Sequence, residues 1–153
     1  MTDQQQLALS EAGAADLPLL ESFVRAYYVE DGHAFQDDRQ PGALAALAAG
    51  DPFAHAWLIR LGGDPVGYVV LALTFSVEAG GREACVDELY LLPKVRDRGL
   101  GGRALALVED RARALGVRRI FLEVERHNRV IALYRRAGYV DHDRFLMSKF
   151  LDR

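Results

Sequence analysis

The sequence predicts a mixed α/β fold that begins with antiparallel strands and continues with a strand–helix–strand unit. Two turn sequences, GGDP at 62–65 and EAGGRE at 78–83, separate apolar runs and are typical of β-hairpins. After residue 100 the apolar spacing changes to that of a helix, and the apolar run RIFLEV follows at 119–124. Because the 153 residues contain no repeat and no long linker, the chain is predicted to be one domain spanning 1–153.

The first half of the chain is expected to form two helices and four strands. Asp16 is a suitable N-cap and Pro18 fits the first helical turn, so a helix should begin there and run to about Glu30. The polar run EDGHAFQDDRQPG that follows predicts a loop. In order, the predicted elements are an edge strand at 5–12, this helix, a short helix at 43–49, and strands at 55–61, 66–75 and 84–92.

The second half is expected to alternate helices and strands. Over 100–115, apolar residues recur at the spacing of one helix face, which predicts a helix. Gly116 is a suitable C-cap for it. Asn128 is a suitable cap for a further helix over 128–137. The remaining predicted elements are a strand at 119–124 and two last strands at 139–140 and 145–151.

The composition excludes several classes of protein. Cys85 is the only cysteine and the four histidines are scattered, so neither a disulfide framework nor a metal site is expected. The N-terminus lacks the pattern of a signal peptide, and no apolar run approaches the ~18 residues of a membrane helix. A pI of about 5.8 and the absence of a recognition motif argue against nucleic acid as a partner. These features predict a soluble, cytoplasmic protein.

Charge is distributed unevenly along the chain. Residues 1–80 carry 11 acidic side chains against 3 arginines, whereas residues 81–153 carry 11 acidic side chains against 16 lysines and arginines. An acidic half joined to a basic half predicts a site with two differently charged ends. The basic half could hold phosphates, and the acidic half could attract an amine.

The stretch RDRGLGGR at 96–103 concentrates glycine and arginine between a predicted strand and a predicted helix. A helix start presents unpaired N–H groups and the positive end of the helix dipole, which together favour anions. Glycines let the backbone approach a ligand, and arginines add charge around it. The stretch therefore predicts a pyrophosphate site formed by Arg96, Arg98, Gly99, Leu100, Gly101, Gly102 and Arg103.

Two other kinds of phosphate loop fit this stretch poorly. A P-loop needs Lys-Ser/Thr after its last glycine, whereas Arg103-Ala104 follows here. The Rossmann pattern G-x-G-x-x-G would begin at Gly99 and require glycine or alanine at its last place, where Ala104 stands. A Rossmann loop also follows the first strand of a parallel sheet, but this stretch follows predicted antiparallel hairpins.

Two motifs together resemble the GNAT superfamily of N-acetyltransferases. The family's coenzyme loop has the pattern Arg/Gln-x-x-Gly-x-Gly/Ala, which Arg96, Gly99 and Gly101 match. About thirty residues later, NRVIALYRRAGY resembles the family's second motif. The resemblance covers roughly residues 5–151. It implies a single α/β domain with a mostly antiparallel central sheet, a parallel pair of strands splayed at the acetyl-CoA site, and helices on both faces.

The resemblance assigns a role to several residues. Acetyl-CoA would be the co-substrate, Tyr134 would be the acid that protonates the leaving thiolate, and backbone groups around Leu89 and Leu91 would pair with the pantetheine arm. One N–H there would polarise the thioester carbonyl. Asn128, expected to contact the coenzyme arm, lies six residues before Tyr134 where the family pattern has seven. Either His127 occupies the usual asparagine position or one residue is missing from the first turn.

The general base is left open among three carboxylates and a water relay. An alkylamine has a pKa of about 10, so its nitrogen must lose a proton before it can attack. Asp87 and Glu88 are adjacent on a predicted strand and point to opposite faces unless a bulge intervenes, and Glu123 lies on the next strand. A covalent route through Cys85 is disfavoured because its neighbours are apolar and no histidine adjoins it in sequence.

The acceptor is expected to be a primary amine of a small molecule, an amino acid or a polyamine. The family's N-terminal helices usually line the acceptor site, and here that region interleaves acidic and aromatic residues, which suits a cation. Those residues are Tyr27, Tyr28, Glu30, Asp31, Phe35, Asp37 and Asp38. The alternatives are a protein amine as acceptor and a non-catalytic acyl-CoA-binding regulatory module. Members of the family often dimerise, so a homodimer involving the last strands is also allowed.

Overall fold

The computed structural model describes residues 5–152. It contains five strands and four helices, with short 3₁₀ turns at Ala14–Asp16 and Pro93–Val95. In chain order the elements are β1 Leu7–Glu11, α1 Leu17–Asp31, α2 Gln40–Ala48, β2 Ala54–Leu61, β3 Asp64–Ser76, β4 Gly81–Leu91, α3 Leu100–Ala114, β5 Arg119–Leu122 and α4 Ile131–Arg136.

The five strands form one sheet in the order β1-β2-β3-β4-β5. Strands β1 to β4 pair antiparallel with one another, and β5 pairs parallel with β4. Both predicted hairpins are confirmed, because β2–β3 and β3–β4 are each joined by a short glycine-containing turn. Helix α3 lies in the connection between the parallel strands β4 and β5, as such a crossover requires.

Helices pack on both faces of the sheet, as predicted. One face is covered mainly by α3, whose Leu105 and Val108 are fully buried against strand residues such as Leu71. The other face is covered by α1 and α2, where Leu20 and Tyr68 are fully buried. The site described below lies at the end of β4 that leads to α3, between these two layers.

Strands β3 and β4 approach closely at Gly67. A Cβ atom at this position would lie 2.0 Å from the carbonyl oxygen of Tyr90. Any other residue would therefore push β4 away just before its end at Leu91. The glycine fixes the path of the strand that carries the candidate catalytic carboxylates.

Two predicted helix starts differ in detail. Asp16 precedes α1 as expected, but its Oδ2 accepts the N–H of Gly13 at 2.9 Å and so closes the 3₁₀ turn instead of capping α1. Helix α4 begins at Ile131, not residue 128, because Asn128 Oδ1 accepts the N–H of Val130 at 3.0 Å. Asn and Asp side chains commonly form such local turns, which compete with the first helical turn.

The last two predicted strands are wrong. Strand β5 ends at Leu122, and in the described part of the chain residues 139–140 and 145–151 form no strand. Their apolar residues suit a strand, but strand assignment requires a hydrogen-bonded neighbour, which the local sequence does not supply. No helix within residues 5–152 is long and apolar enough to cross a bilayer.

Candidate active site

The glycine-rich stretch lies where predicted, between the end of β4 and the start of α3. Gly99 precedes α3 in the left-handed conformation, with φ of 72°, which favours glycine. The N–H groups of the first turn of α3 have no partner within the helix and point towards its start. Arg98 and Arg103 are exposed beside them, whereas the Leu100 side chain is buried, so only its backbone can face a ligand.

Gly101 and Gly102 have a second, structural reason to be glycine. A Cβ atom at Gly101 would lie 3.1 Å from Leu133 Cδ2, and one at Gly102 would lie 3.6 Å from Leu133 Cδ1. The two glycines therefore let α4 pack directly against the first turn of α3. This contact also positions Tyr134, which follows Leu133 in α4.

Arg96 connects the end of α1 to the end of β4. Its guanidinium donates two hydrogen bonds to the Glu30 carboxylate, at 2.7 and 2.6 Å, and its Nε donates to the carbonyl of Leu91 at 2.8 Å. The hydrogen bond from Arg96 lowers the pKa of the Glu30 carboxyl below its ordinary value. A phosphate contact by Arg96 stays a prediction, and it would compete with this ion pair.

Strands β4 and β5 part beside the glycine loop. Their parallel pairing runs from Glu83 and Arg119 to Val86 and Leu122, where β5 ends. Strand β4 continues to Leu91, so the stretch containing Leu89 and Leu91 has an edge that β5 does not pair. Backbone groups on this edge are available to a ligand in the opening, which agrees with the role that the family resemblance gives to this stretch.

A bulge brings Asp87 and Glu88 into the same region. Val70 pairs with Glu88 and Leu71 with Val86, so Asp87 is the extra residue of β4. The bulge interrupts the alternation that would send adjacent side chains to opposite faces. Asp87 reaches solvent, and burial raises the pKa of its carboxyl.

Glu88 is held among tyrosines of β3 and α1. The hydroxyl of Tyr68 donates to Glu88 Oε1 at 3.0 Å. Burial raises the pKa of Glu88 and outweighs the hydrogen bonding from Tyr28 and Tyr68, which stabilises the ionised carboxylate. Asp87 raises the Glu88 pKa further through its charge. A carboxylate shifted in this direction is a better proton acceptor near neutral pH than an exposed one.

An aromatic cluster surrounds this carboxylate. Rings from α1 meet rings from β3 and β4, with centroids about 6 Å apart: Phe23–Tyr68 at 6.4 Å, Phe23–Tyr90 at 6.2 Å, Tyr27–Tyr90 at 6.1 Å, Tyr27–Tyr28 at 5.9 Å and Tyr28–Phe35 at 6.0 Å. Tyr27, Tyr28 and Phe35 are predicted from the sequence to lie at the site, whereas Tyr68 and Tyr90 are not. The register of the β3–β4 hairpin, which pairs Tyr68 with Tyr90, was the feature from which these two could have been found.

Tyr134 lies in α4, which packs against the first turn of α3. It is half-buried in α4, and burial raises its pKa, so the phenol is protonated and able to donate at neutral pH. Burial, then the carboxylates of Asp31 and Glu88, raise the pKa of Tyr27 to about 12, with further contributions from Tyr134 and Asp87.

Glu123 and Cys85 lie beside Asp87. Burial, followed by the charges of Asp87 and Glu123, raises the pKa of the Cys85 thiol to about 12. The thiol is therefore protonated at neutral pH and is a poor nucleophile. Glu123 is exposed just after β5. Its place beside Asp87 keeps it among the candidate bases.

An acidic groove of about 600 Å³ lies between the end of α1 and the loop before α4. Its lining residues are Glu30, Asp31, Glu125, His127, Asn128 and Arg129. Of the predicted acceptor carboxylates, Glu30 and Asp31 are in the groove, whereas Asp37 pairs with Arg25 at 2.8 Å and Asp38 is exposed elsewhere. Glu125 also lines the groove, although it is not among the acceptor residues predicted from the sequence.

A profile of the acetyltransferase (GNAT) family matches residues 17–139. The chain belongs to this family. The match spans α1 through the end of α4 and so includes the glycine loop, the bulged strand and Tyr134. Proteins of the family use acetyl-CoA.

Similar proteins agree with this assignment. An uncharacterized N-acetyltransferase, YhfO of Bacillus subtilis, is 33% identical over 55% of this chain, and the chain spans only 57% of that relative's length. The integron cassette protein HFX_CASS3, from a salt-marsh metagenome, has a TM-score of 0.81 and 34% identity over 95% of this chain and 91% of its own. A predicted acetyltransferase from Clostridium acetobutylicum, solved with acetyl-CoA, has a TM-score of 0.74 at 16% identity over 94% and 96% of the two chains, which shows the fold alone.

The GNAT fold's co-substrate fits the residues at the start of α3. Gly99 is open, with no atom within 4 Å of a Cβ built on it, and Arg98 and Arg103 are exposed nearby. Such a helix start with flanking arginines suits the diphosphate of acetyl-CoA. Within residues 5–152 there is no cluster of three side chains able to hold a metal ion.

Proposed function

We propose that this GNAT protein transfers an acetyl group from acetyl-CoA to a primary amine of a small cationic molecule by direct attack. The observation that carries the proposal is Glu88. It is a half-buried carboxylate with a raised pKa, oriented by the Tyr68 hydroxyl, in the part of β4 that β5 does not pair. Carboxylate and phenol are the base and the acid that acetyl transfer to an amine requires.

The acidic groove and the aromatic cluster would bind the amine. Glu30, Asp31 and Glu125 line a groove of about 600 Å³, which suits a small molecule. The faces of Tyr27 and Tyr28 attract cations. An ammonium group that reaches Glu88 along these rings would lose its bound water and gain contacts with carboxylates and aromatic faces.

Glu88 would accept the proton of the bound amine, directly or through one water. Acetyl-CoA supplies a thioester carbonyl as the electrophile. The amine nitrogen forms the new C–N bond as the C–S bond breaks, and Tyr134 gives its proton to the departing sulfur. The nitrogen then loses its second proton to water, and the Tyr134 phenolate regains a proton from water. A backbone N–H of the unpaired β4 edge near Leu89 or Leu91 would stabilise negative charge on the carbonyl oxygen.

Asp87 and Glu123 are the remaining candidate bases. Asp87 is exposed and has no hydrogen-bond partner among the described residues to orient its carboxylate, whereas Glu88 is half-buried and oriented by Tyr68. Orientation matters because a base must lie within hydrogen-bond reach of the proton that it removes. We therefore assign the role of general base to Glu88.

A panel of amines assayed with acetyl-CoA tests the proposed function, with release of free thiol as the readout. The panel contains diamines and polyamines, aminoglycosides, free amino acids, and peptides with a free α-amine or a lysine. We expect the highest kcat/KM among the small amines of two or more positive charges. Preference for a peptide would make a protein amine the acceptor, and tight binding of acetyl-CoA without turnover on any amine would make the chain a regulatory acyl-CoA-binding module.

A further inference from the structure

Two of the three carboxylates in the acidic groove already have a partner. Glu30 accepts two hydrogen bonds from the Arg96 guanidinium, at 2.7 and 2.6 Å. Nε2 of His33 lies 2.7 Å from Asp31 Oδ2 and can donate a hydrogen bond to it. Glu125 is exposed and forms no ion pair within residues 5–152. An anionic group that enters the groove therefore meets one carboxylate without a partner, not three.

The groove also contains a cation without a partner. Arg129 lines the groove and is exposed, and in the described part of the chain its guanidinium pairs with no carboxylate. Glu125 lines the same groove but does not pair with it. A guanidinium binds a carboxylate well because it can donate two parallel N–H···O bonds to it. Arg129 is therefore available to bind an anionic group of a ligand in the groove.

The loop that carries these two charges is held by its own hydrogen bonds. The N–H of Asn128 donates to the carbonyl of Glu125 at 2.9 Å, and Asn128 Oδ1 accepts the N–H of Val130 at 3.0 Å. These bonds fix the backbone at Glu125 and Arg129 relative to each other. The two residues thus present a negative and a positive charge, separated from each other, to one groove. An α-amino acid carries the matching charges, an ammonium and a carboxylate on one carbon.

The groove and the candidate base are about one turn of α1 apart. Tyr28 hydrogen-bonds Glu88, and Asp31 lines the groove three residues after Tyr28 on the same helix. Side chains at this spacing are neighbours on a helix surface. One helical turn rises ~5.4 Å, which a short alkyl chain can span. A molecule whose charged end lies in the groove can therefore place a second amine at Glu88.

We propose that the acceptor is an α-amino acid with an amine on its side chain, such as lysine or ornithine, and that Arg129 binds its carboxylate. Glu125 binds the α-ammonium, and the side-chain amine reaches Glu88 and is acetylated. The inference rests on the acetyl transfer proposed above and narrows its acceptor. The products are an amide at the side-chain nitrogen and free CoA, and the protons move as described for that transfer. A diamine without a carboxylate leaves Arg129 without a partner and is a poorer substrate.

Amines that differ only in the carboxylate test this inference. Lysine, lysine amide and cadaverine carry the same reacting amine with the carboxylate charged, neutralised and absent. For the wild type we expect kcat/KM for lysine to exceed that for the other two by about 10–100-fold, the range of one charge-assisted pair. Product analysis should find the acetyl group on the side-chain nitrogen. Equal turnover of all three amines, or acetylation of the α-nitrogen, would overturn the inference and leave acetyl transfer intact.

A substitution at Arg129 tests whether this residue produces the preference. Arg129→Gln should lower kcat/KM for lysine by about 10–100-fold and so remove the preference over cadaverine. Arg126→Gln is the matched control, because Arg126 is an exposed arginine of the same loop that does not line the groove. It should keep the preference for lysine. An equal loss on lysine and cadaverine in Arg129→Gln, or weaker acetyl-CoA binding by calorimetry, would show that Arg129 does not select the carboxylate.

Direct binding of lysine provides a readout that does not depend on turnover. Titration of the protein with lysine, followed by nuclear magnetic resonance, should show an affinity that falls about 10-fold or more in Arg129→Gln and is kept in Arg126→Gln. Circular dichroism spectra check that both variants are folded. If no amine is acetylated but lysine binds through Arg129, the acetyl transfer is wrong and the carboxylate site stands. If both variants bind lysine as the wild type does, or the wild type does not bind it, the carboxylate site is wrong.

Discussion

Burial and hydrogen bonding act in opposite directions on the pKa of Glu88. Burial raises its pKa, and tyrosine hydroxyls hold the ionised carboxylate in place. The strong donor Tyr68 is itself fully buried on β3, so the orientation of Glu88 is set by the sheet and not by a loop. A base built in this way is oriented before the substrate arrives.

Replacing Glu88 by Gln should lower kcat by about 10²–10⁴-fold, the usual worth of a general base. It should not lower stability at pH 7. The folded-state pKa of Glu88 is raised, so stability falls as pH rises from the unfolded value of 4.5 through the folded value, and neutral Gln avoids that loss. Thermal unfolding at pH 7 and at pH 4 measures this. Asp87→Asn is the matched control, and a larger kcat loss there would move the base to Asp87.

Tyr134 tests the acid assignment at the other side of the cleft. Tyr134→Phe should lower kcat by about 10²–10⁴-fold, because the hydroxyl acts in the transition state. Acetyl-CoA affinity, measured by calorimetry, should stay within several-fold of the wild type because the ring and its packing against Tyr139 remain. Tyr139→Phe serves as the control, since that ring lies 5.9 Å from Tyr134 without a proposed role in the reaction. Normal turnover of Tyr134→Phe would disprove the acid role.

At the scale of elements, the glycines of α3 serve a helix contact as well as a predicted ligand contact. Gly101→Val should clash with Leu133 and lower the free energy of unfolding by ~1–3 kcal/mol. It should also weaken acetyl-CoA binding. Leu133→Ala added to Gly101→Val should restore the lost stability but not the coenzyme affinity. Gly102→Ala is the control, because its Cβ would lie at an ordinary contact distance of 3.6 Å from Leu133 Cδ1. It should leave the free energy of unfolding unchanged. Unfolding midpoints and calorimetry separate the two effects, and full recovery of affinity in the double variant would reduce Gly101 to a packing role.

Elements with local determinants could be predicted from the sequence, and elements that depend on distant partners could not. Turn glycines and helical periodicity identified both hairpins and α3, whose observed bounds are 100–114 against 100–115 predicted. The bulge at Asp87 depends on how β3 pairs with β4, and Tyr68 joins the site only through that pairing. Residues 145–151 have the composition of a strand, but forming one requires a paired neighbour, which the local sequence does not determine.

The charge asymmetry seen along the sequence is also present in space. The exposed Arg98 and Arg103 flank the start of α3, and the carboxylates of Glu30, Asp31 and Glu125 line the groove at the end of α1. The bidentate pair of Arg96 with Glu30 joins these two regions. An anionic coenzyme and a cationic amine would thus each meet the opposite charge, at different ends of one cleft.

This arrangement predicts a salt-dependent KM for the amine. Exposed charges are screened over about 10 Å at 0.1 M salt and over about 3 Å at 1 M. Raising the salt should therefore increase the KM of a doubly charged amine several-fold and leave kcat nearly constant, since Glu88 and Tyr134 are half-buried. The double change Asp31→Asn/Glu125→Gln should raise KM at low salt and flatten its salt dependence. Asp38→Asn, exposed outside the groove, should behave like the wild type. Steady-state kinetics over a salt series provides the measurement. An unchanged salt slope in the double variant would mean that the amine enters by another route.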